Sequence, residues 1–179
     1  MVYLDYSKIV DWKEIKDMIK KTIEKIGTLE FCEGKYGGEF TGWKNVCIFS
    51  QIYNIKIRFD VFEKGIEGLS DRMINGAINC INLICDKTDV IENIIKDYYD
   101  TEVKERAEDD FCDYMEMDSL AQLSQVMKPV EMYVVELGRE KRVKVGLYFD
   151  CDWNEEDGFG IKFDGEGNIL KLGTGDVIY

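Results

Sequence analysis

Five carboxylates and an asparagine crowd into eight residues, Asp150-Cys151-Asp152-Trp153-Asn154-Glu155-Glu156-Asp157. Oxygen donors at that density suit a hard cation such as calcium. On the EF-hand spacing, Asp150, Asp152 and Asn154 take the first, third and fifth positions. The sixth position, which needs glycine, is Glu155, and the twelfth, which needs a bidentate glutamate, is Ile161. Both flanks read as strands instead of helices. An EF-hand is therefore excluded, leaving a shallow surface site or a solvated turn. Paired carboxylates could also hydrolyse glycosides, but among 36 acids close pairs arise by chance. No catalytic residue, metal site or cofactor is assigned.

There is no histidine. That removes Ser-His-Asp and Cys-His nucleophiles, imidazole bases and most zinc and iron sites. The six cysteines show no CxxC spacing. Cys151 sits among acids that discourage its thiolate, and Cys80 and Cys85 do not share a metal-binding helix face. Cysteine as a small buried hydrophobe in a reducing cytoplasm is the expected use.

Charge bounds the partners. With 36 acids against 23 bases the net charge is -13, which argues against nucleic-acid backbones and anionic membranes. It favours a basic protein partner, or serves solubility alone. No apolar run reaches a membrane span, and the N-terminus lacks the pattern of a secretory leader. A soluble, cytoplasmic protein is expected. Its 179 residues are read as a single domain, 1-179, with an N-terminal helical extension over 1-28 and an α+β core over 29-179.

The elements that must position the acidic corner follow from periodicity. Trp12, Ile15, Ile19, Ile23 and Ile26 recur at helical spacing, with Asp11 and Glu14 as a capping box and Gly27 as the stop. Strands are predicted over 29-33, 46-51 and 54-62; in the last, Ile55, Ile57, Phe59 and Val61 alternate with polar residues. A hairpin or bulged turn is expected in the Gly-rich stretch between the first two. Ser70 or Asp71 opens a helix with the stripe Ile74, Ala77, Ile78, Ile81, Ile84 and Cys85. Asp89 and Glu92 form a capping box for another, which carries Ile91, Ile94, Ile95, Tyr98 and Tyr99. A short helix, 119-127, precedes strands 130-137, 142-149 and 159-163. The predicted fold class is α+β: a mainly antiparallel sheet whose C-terminal β meander packs against about four helices.

Between the helices lies Asp100 to Asp118, with nine acids and two bases. It reads either as a solvated loop pinned by aromatics or as an acidic-aromatic docking surface, with Asp109, Asp110, Phe111, Asp113 and Tyr114 as candidate partner-binding residues.

The run Cys151-Asp152-Trp153-Asn154-Glu155-Glu156-Asp157-Gly158-Phe159-Gly160 resembles a family of uncharacterised bacterial domains. Their C-terminal hairpin carries a W-D-E-E-H-G-x-G signature. Gly173 and Asp176 fit the family's tail, and the Tyr98-Tyr99 pair its helical part, so the resemblance spans roughly 29-179. The family's histidine is Asp157 here and its first aspartate is Asn154, so histidine chemistry does not carry over. The resemblance implies an α+β domain without established enzymatic activity, and toxin-immunity roles are suspected for related domains. It gives Asp152, Trp153, Glu155, Glu156, Gly158 and Gly160 structural roles at the corner. The expected function is a non-enzymatic acidic binding protein, an immunity protein masking a basic toxin or nuclease domain. The alternatives are a carboxylate enzyme, with or without a divalent metal, and a structural or oligomerisation module.

Overall fold

The computed structural model of the protein describes residues 20-34, 37-62, 65-110, 115-138 and 141-179. Eight strands form one sheet in sequence order. They are β1 (Lys20–Ile23), β2 (Gly27–Gly34), β3 (Gly37–Ile48), β4 (Gln51–Phe62), β5 (Met127–Leu137), β6 (Arg142–Cys151), β7 (Phe159–Asp164) and β8 (Ile169–Thr174). Neighbours are antiparallel except at the centre, where β4 and β5 run parallel, with Lys56 beside Glu131 and Asp60 beside Val135. A parallel pair cannot be joined by a tight turn. The chain between them supplies the crossover, and with it the helices.

Three helices lie in the described part of that crossover. The first, α1 (Asp71–Asp86), is capped by Ser70, whose hydroxyl accepts from the Met73 N–H at 3.2 Å. The second, α2, starts at Thr88 after a break at Lys87 and runs through one π turn, Tyr99–Val103, into Lys104–Asp110. The third, α3, is a 3-10 turn, Leu120–Gln122, continued by Leu123–Val126. No described helix is long and apolar enough to cross a membrane.

The meander β5 to β8 is present as predicted, but the packing of about four helices is not. The expected first helix does not extend over its described end. Residues 1-19 lie outside the described part, and Lys20–Ile23 is a strand paired with Gly27 to Glu30. Gly27, expected to stop a helix, takes φ 114° at the end of a hairpin turn instead. Lys20 then pairs with Glu30 at 2.8 Å, and the Thr22 and Thr28 hydroxyls meet at 3.1 Å across the strands. Two β-branched threonines facing one another favour the ladder over a helix.

The helices cover one face of the sheet. Ile57, Phe59, Val134, Leu147, Phe149, Phe159 and Ile161 on strands meet Met73, Ala77, Cys80, Ile84, Ile91 and Ile95 on helices in one core. On the opposite face a 3-10 turn, Gly175–Ile178, lays Val177 and Ile178 against Tyr133, Val135 and Tyr148. It sits there because two strand positions carry no side chain. A Cβ on Gly146 would fall 2.4 Å from Ile178 Cβ, and one on Gly160 2.7 Å from Ile178 Cγ2. Gly146→Ala is expected to destabilise the fold by about 1–3 kcal/mol, the usual range for overpacking. Ile178→Gly, which removes the Cβ that the new methyl meets, should cost less in that background than in wild type, because the clash is shared. Denaturant unfolding of both single variants and the double checks it.

Candidate functional site

Two stretches that stand far apart in the chain meet at one end of the sheet. The corner follows β6 and returns into β7, and the π turn of α2 lies against it. Tyr98 packs on Phe159 with ring centroids 5.0 Å apart, and Tyr99 meets Trp153 edge-on at 5.1 Å. Trp153 in turn lies 6.2 Å from Phe159, which lies 5.8 Å from Phe149. A π turn widens the helix by one residue per turn, and here it coincides with the contact to the corner. Tyr99 is buried and donates its hydroxyl to the Met115 carbonyl at 3.1 Å. Burial raises its pKa, and Asp100 and Asp152 add to that effect, so charge from both stretches reaches one phenol.

The corner is built by Asn154. Its side-chain oxygen accepts from Asp157 N–H at 3.3 Å, its amide donates to the Gly158 carbonyl at 3.3 Å, and its own carbonyl accepts from Gly158 N–H at 2.8 Å. Asp152 N–H donates to the Val126 carbonyl at 2.9 Å, fastening the corner to α3. Gly158 takes φ 65°, and a Cβ there would fall 2.4 Å from the Tyr148 hydroxyl. Trp153 is half-buried against the core, while Asp150, Asp152, Glu155, Glu156 and Asp157 are exposed. A groove of about 360 Å³ between α3 and the corner is lined in part by Ser124, Met127, Asp150, Asp152 and Glu155.

Of the acidic segment, Glu102, Glu105, Glu116 and Asp118 are exposed and join this end, while Val103 and Met117 are buried and hold the segment down. It is therefore helical in its first half instead of a loop. Asp109 and Asp110 fall at the end of the described helix, and their side chains lie outside the description. Phe111, Asp113 and Tyr114 lie outside the described residues altogether.

This end presents carboxylates outward instead of converging them. Among the described residues no three His, Cys, Asp or Glu side chains gather to hold a metal ion. Cys151 is buried and its thiol is pushed up to about 12, first by burial and then by Asp152 and Asp150, so it stays protonated. Cys80 is pushed up further by burial alone. Neither is a nucleophile in this state.

A second polar constellation occupies the face opposite the helices. The Arg58 guanidinium lies 4.8 Å over the Tyr133 ring, with its Nε 2.9 Å from Glu131 Oε1. That N–H is not aimed at the oxygen, so the contact is an ion pair without an aligned hydrogen bond. Tyr133 donates to Asp60 Oδ2 at 3.0 Å, and the Tyr179 ring lies tilted against it with centroids 5.2 Å apart. Burial and then Asp60 raise the Tyr133 pKa, which suits a fixed donor and not a base. Beyond this network β3 and β4 are uncovered, leaving Trp43 63% and Ile52 76% exposed. Alternation is the signal for Trp43, since Thr41, Trp43, Asn45 and Cys47 share the face of β3 opposite Phe40, Val46 and Ile48.

No curated protein and no solved structure matches the chain. From Ile26 to Tyr179, however, the chain matches one family throughout: it belongs to the family described as a domain of unknown function, DUF6985.

Proposed function

We propose that this protein is a non-enzymatic binding protein whose acidic end masks a basic partner, an immunity protein against a basic toxin or nuclease domain. The observation that carries the reading is the union of the acidic segment and the acidic corner through Tyr98, Tyr99, Trp153 and Phe159. It gathers Glu102, Glu105, Glu116, Asp118, Asp152, Glu155, Glu156 and Asp157 on one end of a chain already at -13. Such a field accelerates encounter with a cationic surface and weakens as salt screens it. Asp109, Asp110, Phe111, Asp113 and Tyr114 are the partner-binding candidates of the same reading.

The test is capture of partners from the source cell at low and high salt, with wild type beside a variant neutralised at Asp109, Asp110, Glu155, Glu156 and Asp157. A basic protein retained by wild type at low salt, released at high salt and lost by the variant is expected. Its association rate with the variant should fall about tenfold or more at low salt. Its toxic activity should also be blocked by wild type. Equal retention by the variant would remove the acidic end from the reading. A melting temperature raised by calcium, magnesium or manganese would favour the carboxylate-metal alternative.

A further inference from the structure

On the side of the sheet away from the helices, the Gly175–Ile178 turn covers only the half built from β5 onward. Over β1 to β4 that side is open. Thr28, Trp43, Asn45, Cys47, Ile52 and Asn54 are all exposed along it, and none is charged in a chain of which a third of the residues are. The charges at its border are already matched, Lys20 with Glu30 at 2.8 Å and Arg58 with Glu131 at 2.9 Å. A solvated face of so acidic a protein should carry carboxylates, and this one carries a tryptophan and an isoleucine instead. Such patches mark interaction surfaces.

The patch matches itself. Asn45 and Asn54 are cross-strand partners, and Trp43 and Ile52 stand two residues to either side of that pair. Each is therefore about 7 Å from it, in opposite directions along the strands. A half-turn about an axis above the pair, parallel to the line joining its members, lays a second copy face to face with the first and keeps the strands aligned. Each Ile52 then lands at the Trp43 end of the other copy. A groove of about 390 Å³ opens there, where β4 and β5 begin to pair, lined in part by Trp43, Asn54, Lys56, Pro129 and Glu131. Asn45 and Asn54 meet their own counterparts on the axis, and an amide can both donate and accept. Every contact occurs twice, as a two-fold interface requires.

Charge and size agree. Copies at -13 repel one another, so they approach most easily across an uncharged face, which offers nothing to a basic partner. From Thr41 to Cys47 and across four strands the face covers about 400 Å² at ordinary strand spacings. Two such faces withdraw on the order of 1,000 Å² of accessible surface, where specific interfaces begin, and this suits a reversible dimer. We propose that two copies of this chain associate through the open face of β1 to β4, each Ile52 seated in the groove beside the other copy's Trp43. The contact uses none of the carboxylates of the acidic end, so it stands independently of the basic partner proposed above.

Sedimentation velocity of the full chain from about 1 to 500 µM is expected to show monomer giving way to dimer. Trp43→Lys and Ile52→Glu, each alone, should raise the dissociation constant about tenfold or more. Both positions are exposed, so an unchanged melting temperature at low concentration shows that the variants fold. The decisive step mixes the two variants. One junction then keeps tryptophan against isoleucine and the other sets lysine against glutamate, so the mixture should dimerise more tightly than either variant alone. A mixture no tighter than its components, or a wild-type dimer that neither substitution weakens, would overturn the proposal. So would a monomer at every concentration. Hydroxyl-radical labelling would then assign the face to another segment of the chain if Trp43 is protected, and to a different protein if it reacts.

Discussion

Phe159→Ala is expected to cost about 4 kcal/mol of stability and to lower Tm by about 10 °C. Phe159 is fully buried, and its ring is shared by Tyr98, Phe149 and Trp153. Removing it leaves a cavity that neither Trp153 nor Phe149 can fill without abandoning another contact: Trp153 is also held by Tyr99, and Phe149 by Phe49. Large-to-small changes at rigid sites fall at the upper end of their range for this reason. The effect should be doubly visible. Urea unfolding reports the stability loss, and near-ultraviolet circular dichroism reports Trp153 leaving its asymmetric site. A loss below about 1 kcal/mol would mean that the corner does not depend on this aromatic stack.

Glu92→Ala carries the second large effect, about 2–3 kcal/mol, for a different reason. Glu92 is the sole buried charged residue among the described residues, at 7% exposure, and it faces the β3–β4 turn. There Phe49 and Ser50 take φ 52° and 58°, a left-handed pair that two-residue hairpins require and that glycine and asparagine usually supply. Neither is present. Glu92 Oε1 accepts the Phe49 N–H, and Thr88, whose hydroxyl lies 3.4 Å from Glu92 and donates to the Cys47 carbonyl at 3.2 Å, completes the clamp. Alanine would leave a buried N–H without an acceptor in a turn that is already strained. Glu92→Gln keeps an acceptor and should cost less than half as much. Ser50→Gly, which relaxes the turn directly, should regain about 1 kcal/mol in the Glu92→Ala background. Denaturant midpoints of the three chains decide it.

Alternation was the legible part of the sequence. Ile55 to Val61, Val143 to Phe149 and Phe159 to Phe163 are strands whose apolar residues face the core. Ser70 was legible as a cap. The stripe ending at Ile23 and Ile26 was misleading because isoleucine, threonine and a closing glycine serve a hairpin as well as a helix, and only the partner strand decides. Its spacing from Asp89 makes Glu92 a capping-box residue in the sequence. In the fold it is buried, and Lys87 occupies the N-cap without a side-chain bond. No local pattern could reveal that a turn 43 residues earlier in the chain needed its carboxylate. The candidate site divides the same way. The acidic corner was visible as composition, but its junction with Tyr98 and Tyr99 is made by tertiary packing.

The one parallel junction has a consequence for how this chain acquires its shape. Strands β1 to β4 and strands β5 to β8 are two antiparallel blocks, each of which can zip up through short local connections. Their union is non-local: β5 pairs with β4 across the long connection from Phe62 to Met127. Loop closure of that length carries its entropy cost before any ladder bond repays it, and such contacts slow folding. Closure of this seam is therefore the expected slow step. Until it closes, β4 offers an apolar, unpaired edge to any other chain. During synthesis the first block emerges with that edge open, and an identical neighbour's β5 fits it as well as its own. Exchange of the second block between two chains is thus the misassembly this topology is most exposed to.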